Sequence, residues 1–170
     1  VMFPGTDVSE AKATAEFQNY GVLYNWPAAL GACPPGWHLP TDAQWTALVD
    51  YVVSQGFPNT ELVNGAGNAL KSCRQPGSPL GADCNTSEHP RWDSHPNNNG
   101  FDAFGFSALP GGFRFFIGNF GIYGDFGGWW SSTEASGADA WARGLQYDLG
   151  YMFRNNFGKS NGFSLRCLRD

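Results

Sequence analysis

Four cysteines constrain this chain more than any other feature. Cys33, Cys73, Cys84 and Cys167 form an even set without a CxxC pair, which reads as two disulfides made in an oxidising compartment rather than a zinc ribbon or redox motif. Three connectivities are open in principle. Cys73 and Cys84 bracket the Pro- and Gly-rich run SCRQPGSPLGADC, so their local closure is the least demanding choice and leaves Cys33 to pair with Cys167. In the chain-entropy picture the long bridge stabilises by ~4–5 kcal/mol and the local one by ~3 kcal/mol.

A chain of 170 residues reads as one domain, long enough to bury ~70% of the surface that its unfolded form exposes. Aromatics make up 16% of it and glycine supplies 23 residues. Such a chain turns often, packs with rings and favours β-structure over helix. The net charge is −5 and no Lys/Arg-rich run occurs, so a nucleic-acid partner has no electrostatic footprint. No apolar stretch reaches the ~18–20 residues that a membrane span needs. The opening VMFPGTDVSE has neither a charged n-region nor an apolar h-region, as in a mature or trimmed chain.

Residues 1–16 are rich in Ala, Thr and Glu and read as a leader or frayed helix, with the domain proper over residues 17–170. A short strand is expected around Gly21–Tyr24, then a helical turn that Gly31 can stop. The clearest local signal is PTDAQWTALVDYVVSQGFP. Thr41 as N-cap and Gln44 three residues on complete a capping box, and Trp45, Leu48, Val49 and Val52 recur at the helical period until Gly56 and Pro58. The spacing predicts a helix over Asp42–Gln55, and a second short one over Asn68–Lys71. From Ser72 to Gly105 the chain is a long polar loop with Trp92 as its one large anchor; loops of this length are functional or clamped. Aromatic strands separated by Gly turns follow, so the fold class is α+β: one or two helices packed on small antiparallel sheets, with long loops and two disulfides.

Five segments in order carry a resemblance: GVLYNW (21–26), CPPGWHLPT (33–41), GFSALPGG (105–112), WWSST (129–133) and GFSLRCL (162–168). The series resembles the Fibrobacter succinogenes major paralogous domain, a family of bacterial surface proteins and lipoproteins. That family is in turn similar to the C-type lectin-like fold of formylglycine-generating enzymes. The resemblance implies that the two ends of the chain meet on neighbouring strands and that Cys33 bridges Cys167. Relatives usually carry an extra strand segment before the first motif, and residues 1–16 lack it, so the first strand is expected to be short.

Relatives are often Asn-rich where this chain reads DLGYMFRNNFGK. Similar domains are variable proteins of diversity-generating retroelements, which randomise adenines in asparagine codons. Asp148, Leu149, Gly150, Tyr151, Phe153, Asn155, Asn156, Phe157 and Gly158 are all reachable from such codons, whereas Gln146, Met152 and Lys159 are not. The resemblance thus implies a C-terminal binding surface on a fixed scaffold. Strand alternation gives the same division: Arg143, Leu145 and Tyr147 share one face, expected inward, and Ala142, Gly144, Gln146 and Asp148 the other, expected outward. Tyr123, Asp125 and Phe126 from the preceding glycine-rich segment, with Trp141, complete the expected ligand surface. Among its aromatics, Tyr123, Phe126, Tyr151, Phe153 and Phe157 read as exposed anchors, since binding loops use rings for contact area at low entropic cost.

The implied function is non-enzymatic binding of a protein or glycan by a secreted or surface-displayed domain. A fixed-surface carbohydrate-binding or structural module is the alternative, and a degenerate formylglycine-generating-type enzyme the second. The reactive cysteine pair of those enzymes has no counterpart, since Cys167 is the only cysteine after Cys84. No cofactor is expected. Asp93, Asn97, Asn99 and Asp102 offer oxygens for a structural Ca²⁺, but Asp and Asn serve equally as turn residues. His38, His89 and His95 are spaced too irregularly for zinc, and His38 reads as a framework residue. Asn85-Thr86-Ser87 fits a glycosylation sequon, which means little in a bacterial protein.

Overall fold

The computed structural model describes residues 8–81, 84 and 86–170; residues 1–7 of the expected leader and Asn85 of the sequon lie outside them. The segment read as leader or frayed helix holds α1 (Val8–Lys12) and the start of α2 (Ala15–Tyr20). Thr14 caps α2 by accepting from the Phe17 N–H, and Gly21, at φ 73°, ends it. The first strand, β1 (Tyr24–Asn25), is short, as the resemblance implied, but starts at Tyr24 rather than around Gly21. It runs into α3 (Trp26–Ala29), which Asn25 caps and Leu30, not Gly31, closes.

After β2 (Trp37–His38) comes α4 (Asp42–Ser54), with both halves of the Thr41–Gln44 capping box formed. Trp45 and Val52 are buried on its inner face. α5 (Ala66–Leu70) begins earlier than its apolar residues suggested, and for a steric reason. Gly67 lies against the Gly150–Tyr151 backbone, with no room for a Cβ, and its N–H donates to the Gly150 carbonyl.

Seven strands follow: β3 (Phe113–Arg114), β4 (Phe120–Gly121), β5 (Phe126–Glu134), β6 (Asp139–Gln146), β7 (Phe153–Gly158), β8 (Gly162–Phe163) and β9 (Leu168–Arg169). They form a sheet in the order β5-β6-β7, a second in the order β1-β8-β3-β4, and the pair β2-β9. All named strand pairs are antiparallel. The architecture is α+β, as expected, although the described residues hold five helices rather than one or two.

The ends meet through β1–β8 and β2–β9, and two disulfides close the chain: Cys33–Cys167, with Cα atoms 5.8 Å apart, and Cys73–Cys84 at 5.4 Å. His38 adds a polar tie, with Nδ1 2.6 Å from the Asp170 carboxylate and Nε2 3.0 Å from the Gln44 amide nitrogen. It is the framework histidine that the sequence suggested.

Two apolar clusters lie on opposite faces of β5 and β6. Trp45, Leu70, Trp92, Trp129, Leu145 and Met152 build one; Trp130, Phe126, Ala140, Ala142 and Phe163 build the other. Indole N–H groups find backbone partners: the buried Trp92 donates to Ala108, the buried Trp130 to Tyr24 and the half-buried Trp26 to Ser131, at 2.8–3.0 Å. These bonds satisfy the indole N–H groups and tie the rings to neighbouring backbone.

Candidate binding surface

Of the face expected outward, Ala142 and Gly144 are buried, and Gln146 and Asp148 are half-buried. Ala142 and Gly144 pack into the second cluster because β6 is the middle strand, with β5 and β7 on either side and apolar clusters above and below. A Cβ on Gly144 would lie 2.2 Å from the Phe153 ring, which sits opposite it in register. Phe126 is likewise not an exposed anchor: it is 6% exposed and faces Phe113, Phe153 and Phe163 at ring separations of 5.6–6.1 Å. Phe153 and Phe157 are half-buried rather than exposed, packed on the same cluster.

The turn between β6 and β7 is a structural hub. Lys71, with no exposed surface, places Nζ 2.7, 3.2 and 2.9 Å from the carbonyls of Gln146, Tyr147 and Leu149. Burial pulls its pKa down to about 7, and the charge of Asp148 acts against that shift. The Asn98 amide donates to the Asp148 carbonyl and, through Oδ1, accepts from Asn68 at 3.1 Å. The polar 93–100 loop therefore braces this turn.

Gly150 is closed in by the Leu62 and Thr60 carbonyls, 2.3 and 2.9 Å from where a Cβ would stand. Burial and then the Asp148 charge raise the Asp125 carboxyl above its usual value, while the Gln146 side chain pulls it down. Leu149, Tyr151 and Tyr123 are half-buried, with Tyr123 stacked 5.4 Å from Tyr20. Asp102 holds Ser107, its carboxylate accepting from the serine N–H and hydroxyl. Among the described residues no group of three or more His, Cys, Asp or Glu side chains is placed to hold a metal.

What remains open to solvent in the expected set is the polar edge of β7, namely Asn155 and Asn156. Beside Asn156, Trp141 carries the Arg154 guanidinium 3.3 Å above its ring, and Arg154 also reaches Asp42 at the start of α4. Asp42 accepts from the buried Arg143 as well, so one carboxylate at a helix N-terminus, where negative charge is favoured, gathers two arginines from neighbouring strands.

The most exposed apolar surface was not foreseen. Between β3 and β4 the chain turns through Phe115, Phe116, Ile117 and Gly118, and Phe116 and Ile117 are 67% and 66% exposed. Phe120 and Ile122 are each 40% exposed. Ile122 holds φ at 54°, a left-handed conformation that is strained for a β-branched residue. From the patch a series of rings leads inward to the second cluster: Phe115 lies 4.2 Å from Phe113, Phe113 meets Phe126, and Phe126 meets Phe153. The Phe116 N–H also donates to Asn161, in the turn that follows β7. The signal in the sequence was FRFFIGNFGIYG itself, too apolar on both strand faces for the short strands it forms.

A family model described as the Fibrobacter succinogenes major domain matches residues 4–169. Neither the curated proteins nor the solved structures compared with the chain gave a match. With nearly its whole length matched, the chain belongs to the Fibrobacter succinogenes major domain family.

Proposed function

We propose that this domain is a non-catalytic binding module, displayed outside the cytoplasm on a C-type lectin-like scaffold, that engages a protein ligand through the β3–β4 hairpin and the adjoining edge of β7. The observation that carries the reading is the exposure of Phe116 and Ile117 at the tip of an aromatic series running inward to Phe126. Contiguous exposed apolar surface marks interaction sites, and backbone strain such as that of Ile122 concentrates where function demands it. The tip side chains carry no hydrogen-bonding group, which favours a protein over a glycan. Two disulfides support an oxidising location. Retroelement diversification is proposed only for the exposed positions of the expected set, Asn155 and Asn156.

The test is to probe a panel of extracellular proteins and a glycan array with the wild-type domain and with the double variant Phe116→Ser/Ile117→Ser. Binding to a protein ligand should fall at least tenfold in the variant, whose midpoint of thermal unfolding should be unchanged within about 2 °C, since surface substitutions cost under ~0.5 kcal/mol each. Binding only to glycans, or protein binding that survives the double substitution, overturns the proposal.

A further inference from the structure

Trp129 and Trp130 point to opposite faces of β5, and beside Trp129 lies a cavity of about 170 Å³ between α2, Pro90, the Ser107–Gly111 segment and the Ser164–Arg166 segment. Leu109 and Trp129 give it apolar walls, and Arg166 gives it a charge. The Arg166 guanidinium rests 4.4 Å over the Phe106 ring and donates one hydrogen bond, of 2.8 Å, to the Phe106 carbonyl. A guanidinium carries five N–H donors. None of the ion pairs among the described residues includes Arg166.

Asp102 is the carboxylate whose charge acts on Arg166, but it forms no ion pair with it and instead accepts from the Ser107 N–H and hydroxyl. Ser107 pays for those bonds with a left-handed φ of 50° and lines the same cavity. Arg166 is half-buried, and that burial works against its charged form at some cost. An anion entering the cavity would relieve that cost.

We propose that this cavity binds a small organic carboxylate, its two oxygens on the free edge of the Arg166 guanidinium and its apolar carbons against Leu109 and Trp129. A planar fork of donors matches a carboxylate in bidentate fashion, and apolar walls favour an organic acid over inorganic phosphate. The volume is below that of sites for drug-sized ligands, so the ligand is a short acid or the acidic end of a larger molecule.

The experiment is an NMR titration of the isotope-labelled domain with isobutyrate, isobutyramide and inorganic phosphate, reading the Arg166 Nε–H and Trp129 indole signals. Isobutyrate should shift both signals saturably in the millimolar range, whereas the amide and phosphate should not. Arg166→Met should abolish the Trp129 shift, and Arg166→Lys should weaken binding by about tenfold, because the ammonium keeps the charge and loses the fork. Equal binding of isobutyramide shows an apolar hole, equal binding of phosphate shows an unselective anion site, and no saturable shift shows no site; each overturns the proposal. Should Arg166→Met fail to fold, the three ligands on the wild-type domain decide the matter alone.

Discussion

Lys71 does for the β6–β7 turn what a bound cation does elsewhere: it gathers the carbonyls of Gln146, Tyr147 and Leu149 around one buried group. The cost is visible in its titration. Its pKa falls from 10.5 to about 7 on folding, so the unfolded chain binds more protons between those values and stability rises with pH across that window. The contribution is complete above about pH 10.5 and is lost as pH falls towards about 7. Urea unfolding of wild type and Lys71→Met between pH 7 and 10 should show the wild type gaining up to ~1 kcal/mol per pH unit relative to the variant. Parallel profiles for the two proteins would show that the ammonium is not desolvated as the geometry demands.

At the scale of elements, β7 separates side chains that hold the domain from side chains that are free. Asn155→Ser/Asn156→Ser should leave stability within about 1 kcal/mol, while Phe153→Ser, which empties the space above Gly144, should cost ~3–5 kcal/mol in chemical denaturation. Equal effects would place the boundary wrongly. Sequence made this strand only half legible. Alternation correctly sorted Arg143 and Leu145 from Ala142 and Gly144, because side-chain period is a property of one strand. Whether the second face meets water depends on what lies over it, and Phe126, Phe153 and Phe163 arrive there from three strands. α4, by contrast, was legible to within a residue, because a capping box and an apolar stripe are local. The hairpin tip escaped notice because its rings look like core when read along the chain, and the Arg166 cavity because its walls come from distant segments.

For the whole molecule, both disulfides are those the spacing suggested, and their unequal reach predicts unequal consequences. Cys33–Cys167 spans 134 residues and Cys73–Cys84 spans 11. Loop-closure entropy makes the first worth ~5 kcal/mol and the second ~3 kcal/mol. Cys33→Ala/Cys167→Ala should therefore lower the thermal midpoint more than Cys73→Ala/Cys84→Ala, measured by calorimetry under non-reducing conditions. The reverse order would mean that the polar loop, and not the junction of the two chain ends, limits stability.

The same long bridge has a mechanical meaning. A pull on the chain before Cys33 and after Cys167 runs through one sulfur–sulfur bond, and the residues between them, including β7 and the β3–β4 hairpin, lie off the load path. Tension can peel β1 from β8 at the rim, but the contact surface is a covalently closed loop that drag on the ends does not stretch.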